Sequence, residues 1–263
     1  MGEGAFDADE AEATAATPRL LLPSLWPRLL NLVLPPGCLA CGKPVATAGA
    51  LCSPCWGAIR WIERPFCERL AIPFGYEIGA GALSAEAIAD PPPFGRLRAV
   101  CIYSAEAGAI VQGLKYSDRT DLAKPMARMM ARALGTLAGE VDVIVPVPLH
   151  PRRLWQRRFN QSAMIGEALA ISVGLPFEPG LLARIRATRQ QVGLKASERA
   201  RNVEGAFRVP AAAVAALKGR RVLLVDDVYT TGATVKAATR ALKRGGAAAV
   251  DVAVFARVVE AMS

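Results

Sequence analysis

The sequence predicts an α/β fold, a parallel sheet flanked by helices. Three observations carry that prediction. From about Leu97 onward, aliphatic stretches alternate with amphipathic ones. The aliphatic stretches are nearly continuous, as strands covered on both faces must be. Their order, strand then helix then strand, is that of a layered α/β domain.

Each element can be justified in turn. RAVCIYS reads as a strand. AGAIVQGLKY and DLAKPMARMMARALGTLA carry apolar residues three and four apart and read as helices, with Pro125 in a first turn. VDVIVPVPL is a buried strand stopped by prolines, and QSAMIGEALAISVG is a helix ending near Gly174. RRVLLVDDV is a strand, TVKAATRALKRGG a helix with a glycine stop, and AAVDVAVFARV a last strand. No internal repeat is visible.

The 263 residues suit one large domain, or a domain plus a small module. Hydrophobic residues make up 52% of the chain, enough for a real core. With 32 basic against 23 acidic residues the net charge is +9, which favours anionic partners such as phosphates or nucleic acid. Most of the positive charge is arginine, whose planar fork suits phosphate oxygens.

The start of the chain is acidic and Ala-rich, the reverse of a secretory leader, and residues 1–18 are expected to be a disordered tail. The apolar run LLLPSLWPRLLNLVL is broken by Pro23, Pro27 and Arg28, so no membrane span is expected; 19–36 is read as a short helical segment. A cytoplasmic location follows as an expectation. Residues 37–70 are assigned to a cysteine-bearing module. Gly75, Gly79, Gly81 and the triplet Pro91–Pro93 mark 71–96 as a linker, and 97–263 form the α/β domain.

CLACGKPVATAGALCSPC places Cys38, Cys41, Cys52 and Cys55 as two Cys-x-x-Cys pairs separated by Gly42–Leu51. This is the spacing of a zinc ribbon, in which two knuckles aim four thiolates at one structural zinc ion. Two disulfides are the alternative; a cytosolic chain disfavours them. Cys101, inside AVCIY, reads as a core residue, and Cys67 has no second cysteine with which to form a knuckle.

VLLVDDVYTTGAT, Val222–Thr234, carries the chemistry. In a parallel sheet, ligands sit beyond the carboxyl ends of the strands. Asp226 and Asp227 fall at that end, and Thr230–Thr234 run into the start of a helix, where backbone amides and the helix dipole favour an anion. Gly232 permits close approach of the backbone. Two carboxylates to accept from hydroxyls, beside a loop for a phosphate, describe a site for a ribose phosphate.

The same stretch resembles the phosphoribosyl-pyrophosphate loop of type I phosphoribosyltransferases. Together with VPVPLHPRRLWQRRFNQSAMIGEALA, RQQVGLKASERARNVEGAF and the four-cysteine ribbon, it resembles the ComF family of competence-related, phosphoribosyltransferase-like proteins from Cys38 to Val258. The expected fold is then a type I phosphoribosyltransferase-like parallel sheet with a small zinc ribbon at its N-terminal side. There are departures: Arg158 stands in RRFNQ where the family usually has glycine, and the family's second cysteine pair is reduced to Cys67.

The resemblance implies roles. Asp226 and Asp227 would contact ribose hydroxyls. Thr230, Thr231, Gly232, Ala233 and Thr234 would hold the 5-phosphate, and Val147, Pro148 and Leu149, followed by His150, match the pyrophosphate loop. Lys115 matches a position the family often fills with lysine. Residues 190–207, carrying Lys195, Arg199, Arg201 and Asn202, match a hood over the site; Arg199 is grouped with Lys115 and the aspartates as catalytic. For any one of these cations, a solvated surface position is the plainer reading. His150 reads as a loop residue rather than a general base. The implied ligand is phosphoribosyl pyrophosphate with Mg²⁺, the implied activity transfer of phosphoribose, and the implied setting DNA uptake or nucleotide salvage, with single-stranded DNA or competence proteins as partners. Two alternatives stay open: a competence factor that uses the fold to sense a nucleotide without turnover, and an RNA-binding regulator.

Overall fold

The computed structural model describes residues 35–116, 119–151, 154–155, 159–187 and 201–259. The expectations for 1–18 and for nearly all of 19–36 lie outside the described residues, as do Lys195 and Arg199. The chain divides into two compact units, Met1–Pro35 and Pro36–Ser263, and every described element belongs to the second.

The described elements, in order, are α1 (Ser53–Ala58), α2 (Ala85–Ala89), β1 (Leu97–Ile102), α3 (Ala105–Tyr116), α4 (Ala123–Leu134), β2 (Val143–Pro146), α5 (Gln161–Val173), β3 (Ala183–Arg184), β4 (Phe207–Arg208), α6 (Val214–Leu217), β5 (Arg221–Tyr229), α7 (Ala233–Arg244) and β6 (Ala249–Arg257), with short 3₁₀ turns between some of them. The main sheet is parallel, in the order β1-β6-β5-β2. β3 and β4 form a separate antiparallel pair.

Strand side chains alternate between two layers. On β5, Leu223 and Val225 join Ile110, Leu114, Met126, Met130, Ile165 and Leu169 from α3, α4 and α5. Val222 and Leu224 join Val235, Ala238 and Leu242 from α7, with Leu217 of α6. Both faces are therefore covered, which is why β5 carries the aliphatic run Val222–Val225 and β6 the apolar run Val252–Ala256. Pro125 is the third residue of α4, inside its first turn as expected. Asn160 caps α5 by accepting from the Ser162 amide, and Gly174 ends it at φ 69°.

Residues 60–62 pair with the edge strand β1. The Ile62 amide donates to the Val100 carbonyl at 2.9 Å, and the Ile102 amide to Arg60 at 2.8 Å. Phe94, 2% exposed, packs edge-on to Tyr229 at the end of β5. Cys101 is fully buried in β1, where burial pushes its thiol up to about 12.

Candidate functional site

Each functional side chain is placed by a strand end or a helix start. β5 runs two residues past the aspartates to Tyr229, so Asp226 and Asp227 are part of the strand rather than the turn after it. They are central because β5 lies between β6 and β2. β2 stops earlier, at Pro146, but the Val147 amide still donates to the Val225 carbonyl at 2.9 Å, which holds the Val147–His150 turn beside the acidic pair.

The two carboxylates are held differently. Asp226 accepts from the Ser162 hydroxyl at 2.8 Å and from the Asp227 amide at 3.0 Å. Burial, and then the charge of Asp227, push its pKa up to about 7, against the opposing pull of Ser162 and Lys115. Asp227 instead forms an ion pair with Lys115 Nζ at 2.7 Å. Lys115 reaches it from the last turn of α3.

Sequence reasoning gave no role to Asn160 or Ser162. Asn160 caps α5 through its side-chain oxygen and donates from Nδ2 to the Val147 carbonyl at 3.1 Å. One residue thus ties the 147 turn to the helix whose Ser162 holds Asp226. The signal was available, since Asn before an apolar-periodic run is an N-cap pattern.

Past Tyr229 the chain bends through Thr230 and Thr231 and enters α7 at Ala233. Thr234 is therefore in the first turn of the helix rather than in the loop. Gly232 is the N-cap at φ 73°, and a Cβ there would run into the Tyr229 ring. The Lys236 amide makes the first helical bond, to the Gly232 carbonyl at 2.7 Å, which leaves the amides of the first turn without helical partners. The Thr231 hydroxyl is buried and meets no hydrogen-bond partner among the described residues. A buried donor so placed fits an anionic ligand in the loop. Along α7, Ala233, Lys236, Arg240 and Arg244 line a cavity of about 500 Å³ with Asp90, Arg201 and Phe207. Arg201 is exposed and Asn202 half-buried.

The four ribbon cysteines come together. Their sulfurs lie within 4.8 Å of one another, with Cys41 and Cys52 at 3.7 Å. Four thiolates about 2.3 Å from one tetrahedral ion would stand roughly 3.8 Å apart. All six cysteines are free of disulfides. Burial raises the Cys38 thiol, but the amides of Cys41, Cys52 and Ala40 outweigh it and hold the group down to about 6; Cys55 is pushed up by burial and its neighbouring sulfurs. The set fits a structural zinc ion, which would need all four as thiolates.

Sheet, loop and ribbon define a phosphoribosyltransferase-fold protein carrying a zinc ribbon. Family models agree: a double zinc ribbon domain matches residues 29–88, and a phosphoribosyl transferase domain matches 160–261. The DNA utilization protein YhgH of Salmonella typhi is 34% identical over 228 residues, 84% of this chain and 96% of that protein. Competence protein F of Haemophilus influenzae is 26% identical over 226 residues, with the same coverage. The chain belongs to this ComF/YhgH family. Among solved structures, adenine phosphoribosyltransferase from Thermoanaerobacter pseudethanolicus is 20% identical and covers 57% of this chain and 86% of its own, with a TM-score of 0.32. Among the described residues, no helix is long and apolar enough to cross a membrane.

Proposed function

We propose that the carboxyl end of β5 binds phosphoribosyl pyrophosphate with Mg²⁺ and that the protein transfers its phosphoribose to an acceptor. One observation carries this reading. The acidic pair, the Thr230–Thr234 segment and the start of α7 follow one another along the chain, and a buried threonine hydroxyl among them has no protein partner among the described residues.

In this reading Asp226 and Asp227 accept from the ribose hydroxyls, while the Thr231 and Thr234 hydroxyls and the first amides of α7 take the 5-phosphate. The Val147–Leu149 turn faces the pyrophosphate. Mg²⁺ bound together with this ligand would supply positive charge that neutralises the leaving group. An acceptor nucleophile forms a bond to the anomeric carbon as the carbon–oxygen bond breaks and pyrophosphate leaves with the electron pair. The nucleophile's proton passes to solvent or pyrophosphate. Fixing the ribose and supplying cations matter more here than a strong base. Lys115 orients Asp227 through their ion pair, and Arg199 of the 190–207 hood would close over the leaving group. Calorimetry with Mg²⁺ and phosphoribosyl pyrophosphate tests binding, and a pyrophosphate-release screen over bases and amines tests turnover. No heat with the wild type, under conditions where zinc is retained, defeats the proposal.

A second reading, a DNA-handling factor without turnover, is favoured by a different feature. Trp56, Trp61 and Phe66 line a second cavity of about 500 Å³ together with Arg64, Arg98 and Arg132. Aromatic faces among arginines suit stacked bases of a single strand. The names of the relatives, DNA utilization protein and competence protein F, point the same way. Here single-stranded DNA should bind with a steep salt dependence. Neutralising Arg152, Arg153, Arg157 and Arg158 should weaken it, and the double aspartate variant should not. Loss of natural transformation in the aspartate variant favours the enzyme; full transformation favours the adaptor.

A further inference from the structure

The family model implies two zinc ribbons, yet only one set of four cysteines exists in the chain. The backbone nevertheless repeats. In the first ribbon the Cys38 amide donates to Lys43 at 2.7 Å and the Gly42 amide to Cys38 at 3.0 Å, while Gly37 bridges Pro44. In residues 66–73 the Cys67 amide donates to Ile72 at 2.8 Å and the Ala71 amide to Cys67 at 2.7 Å, while Phe66 bridges Pro73. Gly42 sits at φ 73° and Ala71 at φ 51°.

The second halves also correspond. The Leu39 amide donates to Ala50 at 3.1 Å, and that of Glu68 to Ala82 at 3.0 Å. The Cys52 amide donates to Cys38 Sγ at 3.3 Å, and the Ser84 amide to Cys67 Sγ at 3.2 Å. Cys52 precedes α1 and Ser84 precedes α2. Cys38, Cys41, Cys52 and Cys55 therefore match Cys67, Leu70, Ser84 and Ala87.

We infer that residues 66–89 are a second ribbon that holds no metal, its centre filled instead by an apolar cluster. Leu70 and Ala87 offer no ligand atom, and the Ser84 hydroxyl is occupied by the Ala87 amide at 3.3 Å as a helix cap. Structural zinc needs four donors, so the residues do not fit the ion. Cys67, Leu70, Ala71 and Ala87 are at most 2% exposed and share one hydrophobic cluster with Phe94 and Leu97. Cys67 remains as the acceptor for the Ser84 amide, which explains a lone cysteine with no partner.

The α/β domain takes over the holding role that the metal plays in the first ribbon. Three successive carbonyls of the second knuckle are bound by the sheet: Glu68 by the Arg98 guanidinium at 2.9 Å, Arg69 by the Leu97 amide at 3.0 Å, and Leu70 by Arg257. At its other end Asp90, which caps α2, pairs with Lys236 of α7 at 2.7 Å. The second ribbon is thus a fixed wall beside the helix that begins at the phosphate loop.

Metal analysis and hydrogen exchange on the full-length protein test the inference. The wild type and Cys67→Ser should each hold one zinc per chain, and Cys41→Ser should lose it. On chelation, amides in 37–59 should lose protection while those in 66–89 keep it. A second equivalent that disappears in Cys67→Ser, or loss of protection in 66–89 on chelation, would overturn the assignment. Leu70→Cys/Ser84→Cys/Ala87→Cys should restore a four-thiolate site and raise the content to two equivalents. A folded triple variant that still holds one would show that the two backbones do not correspond. The exchange measurement decides independently of that variant.

Discussion

The two ribbons trace the same hydrogen bonds around different centres. In the first, four sulfurs converge within 4.8 Å, a set that fits one zinc ion. In the second, Leu70 and Ala87 stand at two of the ligand positions and the sheet binds the knuckle carbonyls. A centre of converging thiols is stable only with its ligand; an apolar centre needs none, but it needs a neighbour to pack against. The same contrast recurs at the carboxyl end of β5. There the core leaves a buried threonine hydroxyl without a protein partner among the described residues and a buried carboxylate with a raised pKa, whereas a few residues earlier Val222–Val225 are packed completely.

The contrast is broken most severely at the metal. Structural zinc in small modules contributes about 10–16 kcal/mol of apparent folding free energy. Cys41→Ser should therefore unfold the first ribbon while the α/β domain keeps its thermal transition. Tryptophan fluorescence reads the first event, because the tilted rings of Trp56 and Trp61 lie 4.5 Å apart beside that ribbon, and far-ultraviolet circular dichroism reads the second. Loss of both together would show that the body also depends on the ion.

The second ribbon should respond to volume and not to metal. Leu70→Ala removes a side chain that is 2% exposed and should cost about 2–5 kcal/mol by chemical denaturation. Zinc content should stay unchanged, and a cost near zero would mean that the apolar centre does not hold this segment.

The β5 site should behave like the first ribbon, with its polar groups serving a ligand. Asp226→Asn with Asp227→Asn should weaken phosphoribosyl pyrophosphate binding by at least about tenfold, roughly 1.4 kcal/mol, measured by calorimetry. Equal affinity would make the carboxylates structural.

Without ligand, the charge on Asp226 is a liability. Its pKa is raised from 3.8 to about 7, so the folded chain retains a proton that the unfolded chain has released. Stability from this group therefore falls as pH rises through that window. Asp226→Asn still accepts from Ser162 but cannot ionise. Its melting temperature relative to wild type should improve between about pH 4 and pH 8, and an unchanged difference would place the titration elsewhere.

The smallest effect compares matched turn positions. Gly42 and Ala71 both have positive φ, and a Cβ at 42 would meet nothing within 4 Å. Gly42→Ala should cost only the left-handed backbone penalty, about 1–2 kcal/mol, with zinc retained. Loss of zinc would show that the two turns are not equivalent.

The sequence by itself determined the strand and helix order, because continuous aliphatic runs and 3.6-residue periodicity are local patterns. It also determined the four-cysteine set and the acidic and threonine stretch, since ligand chemistry demands particular residue types at fixed spacing. The convergence of Lys115 on Asp227, and of Asn160 and Ser162 on Val147 and Asp226, was decided by tertiary structure: these residues belong to different elements and meet only when β2, β5 and two helix ends align. The second ribbon shows the limit most clearly. Read as composition, its glycines and prolines look like a linker and no repeat is visible, because the ligand residues that mark a ribbon in sequence have been replaced. What persists there is a set of backbone hydrogen bonds, and a backbone hydrogen bond leaves almost no residue preference behind, so only the folded chain displays it.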